Sequence, residues 1–222
     1  MSRRYFILGV LILLTAIVVK SLFVSLRQVK VDKFVPVSAI FLIDSSASNQ
    51  KNLEKEKKFL NRMCAVLDPE DQVKILNVSQ DAYIIYEGNP HNTRTINKTM
   101  DAFTQYQTSS YGTAYGSALK KAMGHALNMQ KEGYTPAIIV MGDLADEGDL
   151  SGQINWKVFP KNVRRVQKYA PGISMTFLFA HPIRLDYVKE KLTPVLGEKR
   201  LVTANDEDAD KVIRKFTAAI GR

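Results

Sequence analysis

The sequence predicts an α/β domain built as a doubly wound, mainly parallel sheet with helices on both faces and one antiparallel edge strand. Three observations predict it. Short apolar runs alternate with amphipathic helical stretches from Val37 onward. Two of the runs, Val37–Ile43 and Pro136–Met141, are nearly continuous apolar segments, as strands buried on both faces must be. Two others, Val73–Val78 and Ala82–Tyr86, are joined by only Ser79–Asp81, which predicts a hairpin.

The remaining elements follow in order. Asn49–Leu67 reads as a charged amphipathic helix, with Leu53, Phe59, Leu60 and Met63 on one face, and Asp68, Pro69 and Glu70 end it. Arg94–Phe103 reads as a short helix, and Tyr106–Gly112 as a polar loop. Ala114–Gln130 is a good helix with Leu119, Met123, Ala126 and Leu127 turned inward. An acidic loop, Gly142–Gly152, follows the central strand. Beyond it come a helix at Asn162–Tyr169, a buried strand at Ile173–Phe179 and a helix at Leu185–Leu196. A short strand at Arg200–Thr203 and a last helix at Asp208–Ile220 complete the pattern.

A segment of different character precedes the domain. Tyr5–Leu26 is an apolar stretch long enough to cross a bilayer as a helix. Lys20 interrupts it, but its stem can carry the ammonium to the interface. The expected division is a transmembrane anchor at 1–27, a short linker at 28–36 and the domain at 37–222. The rival is a cleaved signal peptide, which needs small residues after its apolar core. Ser21, Leu22, Phe23 and Val24 fit that poorly. Arg3 and Arg4 before the span and Arg27, Lys30 and Lys33 after it give no clean orientation by the positive-inside rule. A very short cytoplasmic tail with the domain outside is the commoner arrangement, so an extracytoplasmic domain is expected.

The net charge of +9 invites a nucleic-acid reading. Residues 1–33 hold six basic residues against Asp32, so the rest of the chain carries only +4. Much of the excess thus flanks the apolar segment, and nucleic acid is not an expected partner. Cys64 is the only cysteine. It excludes an intrachain disulfide and a cysteine-rich zinc site, and reads as a small buried residue. His91, His125 and His181 lie far apart without metal-ligand spacing and read as surface or packing residues.

Chemistry collects at the predicted strand ends. The first strand runs into Asp44-Ser45-Ser46-Ala47-Ser48, Gly112-Thr113 precedes a helix, and the central strand ends in Gly142-Asp143. In doubly wound sheets ligands bind beyond the carboxyl ends of the strands. Carboxylate and hydroxyl oxygens are hard ligands suited to Mg²⁺, Mn²⁺ or Ca²⁺. Spacing Asp44, Ser46 and Ser48 two apart brings alternate side chains to one side of a turn. Hydroxyls add ligands without charge, leaving the cation room for an anionic oxygen from elsewhere. The plainer reading is that Ser46, Ser48 or Asn49 caps the next helix, which leaves Thr113 and Asp143 unexplained.

Asp44, Ser46, Ser48, Thr113 and Asp143, in that order and in that strand context, resemble the metal-ion-dependent adhesion site of the von Willebrand factor A family. The likeness runs from about Val37 to the end of the chain. It implies a Rossmann-like fold and a bound divalent cation, Mg²⁺ first, with Mn²⁺ or Ca²⁺ as alternatives. It implies that Ser46 and Ser48 contact the metal directly and that Thr113 does so when a partner is bound. Asp44 and Asp143 would act mainly through waters or hydrogen bonds. A carboxylate from a protein partner would complete the shell. Many members carry Ser or Thr before the last Asp and Gly after it, whereas here Gly142 and Leu144 flank Asp143. Asp146 therefore stands as an alternative ligand should the loop shift, while the plainer reading of Asp146, Glu147 and Asp149 is a solvated loop. Tyr111 and Tyr115 line a binding rim or pack on the sheet.

These features predict a membrane-tethered, metal-dependent protein-binding module and not an enzyme. A metal-dependent hydrolase is the first alternative. It lacks support because Ser46 stands where a second Asp of an Asp-x-Asp pair would be, and no nucleophile elbow or phosphate loop occurs. The second alternative is a structural subunit of a membrane complex, with the metal only bracing loops.

Overall fold

Eight consecutive buried residues make the first strand, β1 (Val37–Asp44). The first seven can all be apolar or small because β1 has a parallel neighbour on each side and a helical layer on each face, and the eighth, Asp44, closes the strand. The computed structural model describes residues 35–79, 82–106, 113–145, 152–205 and 209–222. The chain divides into two units, Met1–Phe34 and Val35–Arg222. The expected anchor and nearly all of the expected linker lie outside the described residues, as do Tyr111, Gly112, Asp146, Glu147 and Asp149. Among the described residues no helix is long and apolar enough to cross a membrane.

After β1 come α1 (Leu53–Ala65), β2 (Gln72–Val78), β3 (Tyr83–Gly88), α2 (Thr93–Tyr106) and α3 (Tyr115–Lys131). Then follow β4 (Thr135–Met141), α4 (Phe159–Tyr169), β5 (Ser174–Leu178), α5 (Pro182–Leu196), β6 (Leu201–Ala204) and α6 (Ala209–Ala219). The sheet has six strands in the order β3-β2-β1-β4-β5-β6. All neighbours are parallel except β2 and β3, the expected hairpin, which pair antiparallel at the edge. The predicted fold class is the observed one, apart from the anchor.

Strand alternation sends successive side chains to opposite faces, and two cores result. Ile40, Leu42, Ile138 and Val140 pack with Ala118 and Leu119 of α3, Val163 of α4 and Val188 of α5. Phe41, Ile43, Ile139 and Met141 pack with Leu60 and Met63 of α1, Met100 of α2 and Phe216 of α6. Cys64 is fully buried in the second core, as its sequence context predicts.

The largest departure from the sequence reading falls just after β1. The stretch expected to start a helix at Asn49 is a 3₁₀ turn over Ala47–Asn52, and the α-helix starts only at Leu53. The Asn49 amide donates to Asp44 O (2.8 Å) and to Glu56 Oε1 (2.7 Å), so it is pulled beneath the strand end and the turn tightens. Neither Ser46 nor Asn52 makes a side-chain cap, so capping does not explain the serines. The second helix also runs further than expected in both directions. α4 and α5 start about one turn early, each with a proline in its first turn, where a missing N–H costs nothing. His181 serves α5 as its cap, its Nδ1 accepting from the Ile183 N–H at 3.4 Å.

At the amino ends of the strands, buried Asp71 joins three parts of the chain. Its carboxylate accepts from Val37 N (2.6 Å), from Asp68 N (2.7 Å), and from both terminal nitrogens of Arg222 (2.6 and 2.7 Å). Removing it strands two amides and one guanidinium. Asp71→Ala should therefore lower unfolding free energy by about 3 kcal/mol, read from urea denaturation. Arg222→Ala should cost less, because the guanidinium is partly exposed and water replaces it.

Candidate metal centre

The site forms where β1 and β4 end side by side. Asp44 closes β1 and is fully buried, and Gly142-Asp143 follow β4. Here the strand order reverses, so β1 leads to helices on one side and β4 to helices on the other. That divergence opens a crevice at the carboxyl edge of the sheet.

Every contact to the Asp44 carboxylate comes from a neutral donor. Oδ1 accepts from the Ser46 backbone N–H (2.8 Å) and, weakly, from the Thr113 hydroxyl (3.5 Å). Oδ2 accepts from the Tyr115 hydroxyl (2.7 Å). Burial pushes the Asp44 carboxyl up to about 6, against the lowering effect of the Ser46 and Tyr115 hydrogen bonds. The negative charge of Asp143 adds a little to the rise. Among the described residues no Lys or Arg pairs with Asp44.

The serine hydroxyls lie together: Ser46 Oγ and Ser48 Oγ are 3.0 Å apart, with Ser46 buried and Ser48 exposed. Thr113 is buried just before α3 and touches Asp44. Asp143 is half-buried, and its hydrogen bonds are with its own loop and α5. Its Oδ1 accepts from Ala145 N (2.6 Å) and lies 3.8 Å from Arg184 Nη1, which donates to the Asp143 carbonyl (2.7 Å). Tyr115 bridges the two strand ends, since its oxygen donates to Asp44 and accepts from Leu144 N (3.2 Å). It is wholly buried, so it packs on the sheet and is not a rim residue. Its phenol is held well above its usual value by burial and by the Asp44 charge beside it.

Gly142 makes this closeness possible. A Cβ there would lie 2.5 Å from Asp44 Cβ and would strike the Tyr115 hydroxyl, and its φ is +150°. Leu144 also has positive φ (55°), the position at which the sequence departs from the usual Gly of the resembled site. A left-handed leucine carries a cost of about 1 kcal/mol, which its burial in the first core helps to offset.

A supporting layer lies beneath, and the sequence reading missed it. Ser45 Oγ donates to Asn77 Oδ1 (2.6 Å), tying the loop to β2. Asn49 links the Asp44 carbonyl to Glu56, which is fully buried. Burial holds the Glu56 carboxyl well above the ordinary range, against the lowering effect of the Asn49 hydrogen bond. Its Oε2 has no hydrogen-bond partner. A signal for Glu56 did exist, since Leu53, Glu56, Leu60 and Met63 share helical spacing and place an acid on the apolar stripe.

The donor set suits a hard divalent cation. It offers hydroxyl and carboxylate oxygens with only two acids, and among the described residues no group of three or more His, Cys, Asp or Glu gathers anywhere. The buried, electrostatically unmatched Asp44 is what a cation would neutralise.

Comparison with known proteins agrees with the fold. The von Willebrand factor type A domain profile matches residues 39–174, and the chain belongs to that family. Its members commonly serve as protein-interaction modules. A comparison with curated proteins found no match. Among solved structures, the conserved hypothetical protein BatB from Bacteroides thetaiotaomicron is 16% identical with TM-score 0.59, covering 84% of this chain and 100% of its own. An aerotolerance-related membrane protein from Bacteroides fragilis is 14% identical with TM-score 0.57, covering 83% of this chain and 98% of its own. The manganese-loaded TRAP protein of Plasmodium vivax is 12% identical with TM-score 0.59, covering 83% and 73% respectively. At such identities these likenesses show the fold alone.

Two outcomes follow for the metal-free protein. Gly142→Ala should destabilise it by at least about 3 kcal/mol, since backbone strain and overpacking add, read by thermal unfolding. The folded-state pKa of Asp44 is raised from 3.8 to about 6. Its contribution to stability is therefore fully present below about pH 4 and lost as pH rises through 6. In chelator, wild type should lose on the order of 2–3 kcal/mol across that window from this residue, and Asp44→Asn should abolish that loss.

Proposed function

We propose that this chain is a metal-dependent protein-binding module tethered to a membrane by its amino-terminal apolar segment. Ser46, Ser48 and Thr113 would hold a divalent cation through their hydroxyls. Asp44 and Asp143 would act through bridging waters and hydrogen bonds. Mg²⁺ fits best, because it keeps waters in its shell and accepts few carboxylates. With three neutral hydroxyls as direct ligands, the cation retains a strong preference for one more anionic oxygen. An acidic side chain on a protein partner supplies it.

The observation that carries this reading is the buried Asp44 carboxylate, ringed by hydroxyl and amide donors and, among the described residues, matched by no cationic side chain. Such a charge is costly unless a cation lies near. Further support comes from neighbours of the same fold: the Plasmodium vivax protein is manganese-loaded, and the Bacteroides fragilis protein is a membrane protein. The apolar stretch Tyr5–Leu26 supports the tether. By the commoner arrangement of such anchors the domain would lie outside the cytoplasm.

Calorimetric titration tests the metal. The wild-type chain should bind Mg²⁺ and Mn²⁺, Asp44→Ala should not, and Ser46→Ala or Thr113→Ala should weaken binding about tenfold, or 1.4 kcal/mol. Binding should tighten as pH rises through about 6, because the carboxylate form of Asp44 is needed. Pulldown from membranes in Mg²⁺ against chelator, with Asp44→Ala as control, tests the partner. No cation binding, with Asp44→Ala indistinguishable from wild type, would sink the proposal. Hydrolytic turnover lost in Ser46→Ala would replace it with the enzyme reading.

A further inference from the structure

The domain's excess of positive charge is concentrated on one face. Lys161, Arg164, Arg165 and Lys168 recur along α4 at helical spacing, Lys157 lies in the turn before it, and all five are exposed. The opposite stripe of that helix, Phe159, Val163 and Val166, is buried in the core. The adjacent helix α3 adds exposed Lys120, Lys121 and Lys131. Neither 115–131 nor 157–169 contains a single Asp or Glu. Residues 35–222 carry a net +4, so outside these eight cations the domain is net acidic. Such segregation leaves the cations without an acid on their own helices, Glu132 just past α3 being the nearest in sequence, and creates a field reaching about a Debye length, ~8–10 Å.

The lower end of this face adjoins the point where the chain enters the domain. Pro36 O accepts from Thr135 N (2.7 Å) at the start of β4. Thr135 in turn meets Gly172, whose Cβ would lie 3.0 Å from Thr135 Cγ2. Gly172 is three residues past Tyr169, the last residue of α4 and 71% exposed. Tyr169 and Lys131 line one cleft of ≈ 680 Å³ between α3 and α4. An exposed tyrosine among Lys131, Arg165 and Lys168 is the composition favoured at a membrane interface. The metal centre lies at the opposite end of the sheet.

We infer that the lower α3–α4 face, centred on Lys131, Arg165, Lys168 and Tyr169, docks on the anionic phospholipid headgroups of the bilayer that holds the chain. This rests on reading Tyr5–Leu26 as an anchor, because only a few residues, 28–36, then separate the bilayer from Pro36. The contact holds the domain upright, with the Asp44 end turned away from the lipid and toward a partner. Nucleic acid is a weaker occupant: the excess charge lies beside the chain's entry point, and a tether that short favours the lipid.

The test uses the full chain reconstituted in vesicles of phosphatidylcholine alone or with phosphatidylglycerol as about one lipid in three. Asn128→Cys, exposed in the same cleft, carries an environment-sensitive fluorophore, and headgroup-quencher lipids report contact. Buried Cys64, its thiol pushed up to about 12, stays unlabelled. Quenching should be at least about threefold greater in the anionic vesicles and should fall to the neutral value at high salt. The combined charge reversal Lys131→Glu, Arg165→Glu and Lys168→Glu should abolish the difference, with thermal unfolding confirming that the variant is folded. Equal quenching in both vesicle types overturns the proposal, as does a label that responds to duplex DNA but not to anionic lipid. Carbonate extraction reports the anchor separately. If the chain is extracted, cosedimentation decides: binding to anionic but not neutral vesicles retains the basic-face proposal, and no binding overturns it.

Discussion

The structure turns on a carboxylate buried at the end of a central strand. Asp44 sits beyond a run of seven buried residues, where an uncompensated charge is costly. The protein answers with neutral dipoles: one backbone N–H, the Thr113 hydroxyl and the Tyr115 phenol. These orient the carboxylate without cancelling its charge. The result is a fixed, negative, oxygen-rich corner with a raised pKa, and the surrounding loops are shaped to keep it so.

Topology explains why this corner can exist. A parallel strand pair at a reversal of strand order leaves its two outgoing loops diverging, and Asp44 and Asp143 lie on those loops. Bringing them close needs a residue without a side chain at the end of β4, where Gly142 lies against Asp44. The positive φ of Leu144 then turns the chain so that its amide meets Tyr115. Beneath the site, Asn49 and buried Glu56 fill the space under the strand end, and Ser45 ties the loop to Asn77 on β2. Polar groups at this depth rigidify a site when satisfied. Among the described residues, Glu56 Oε2 and Asn77 Nδ2 are the unpartnered atoms of that layer.

The two ends of the sheet are therefore chemically unlike. At the carboxyl end, acids and hydroxyls converge with little cationic compensation. At the amino end, Asp71 binds the first strand to Arg222, and the exposed cations of α4 end beside Tyr169. Separating the charges this way gives the domain a chemical direction along its strands.

Much of this was legible in the sequence. The near-continuous apolar runs of β1 and β4 announced a parallel sheet, and the short Ser79–Asp81 link announced the hairpin. Residue type and order at three loop positions named Asp44, Ser46, Ser48, Thr113 and Asp143 as one group. Local pattern suffices there because strand burial and oxygen chemistry are written in residue identity. Helix starts were less legible, since Asn49 reads as a cap until its amide is seen to turn inward. Glu56 was hidden for a related reason: an acid on a charged helix looks solvated unless its place on the apolar stripe is weighed. What only the tertiary structure decided was proximity between distant residues. Tyr115 became a bridge between strand ends, Gly142 a point of contact with Asp44, Asp71 a clamp on Arg222, and two separate basic helices a single face. Each depends on which segments the sheet order brings together, and that order is fixed by the packing of the whole domain.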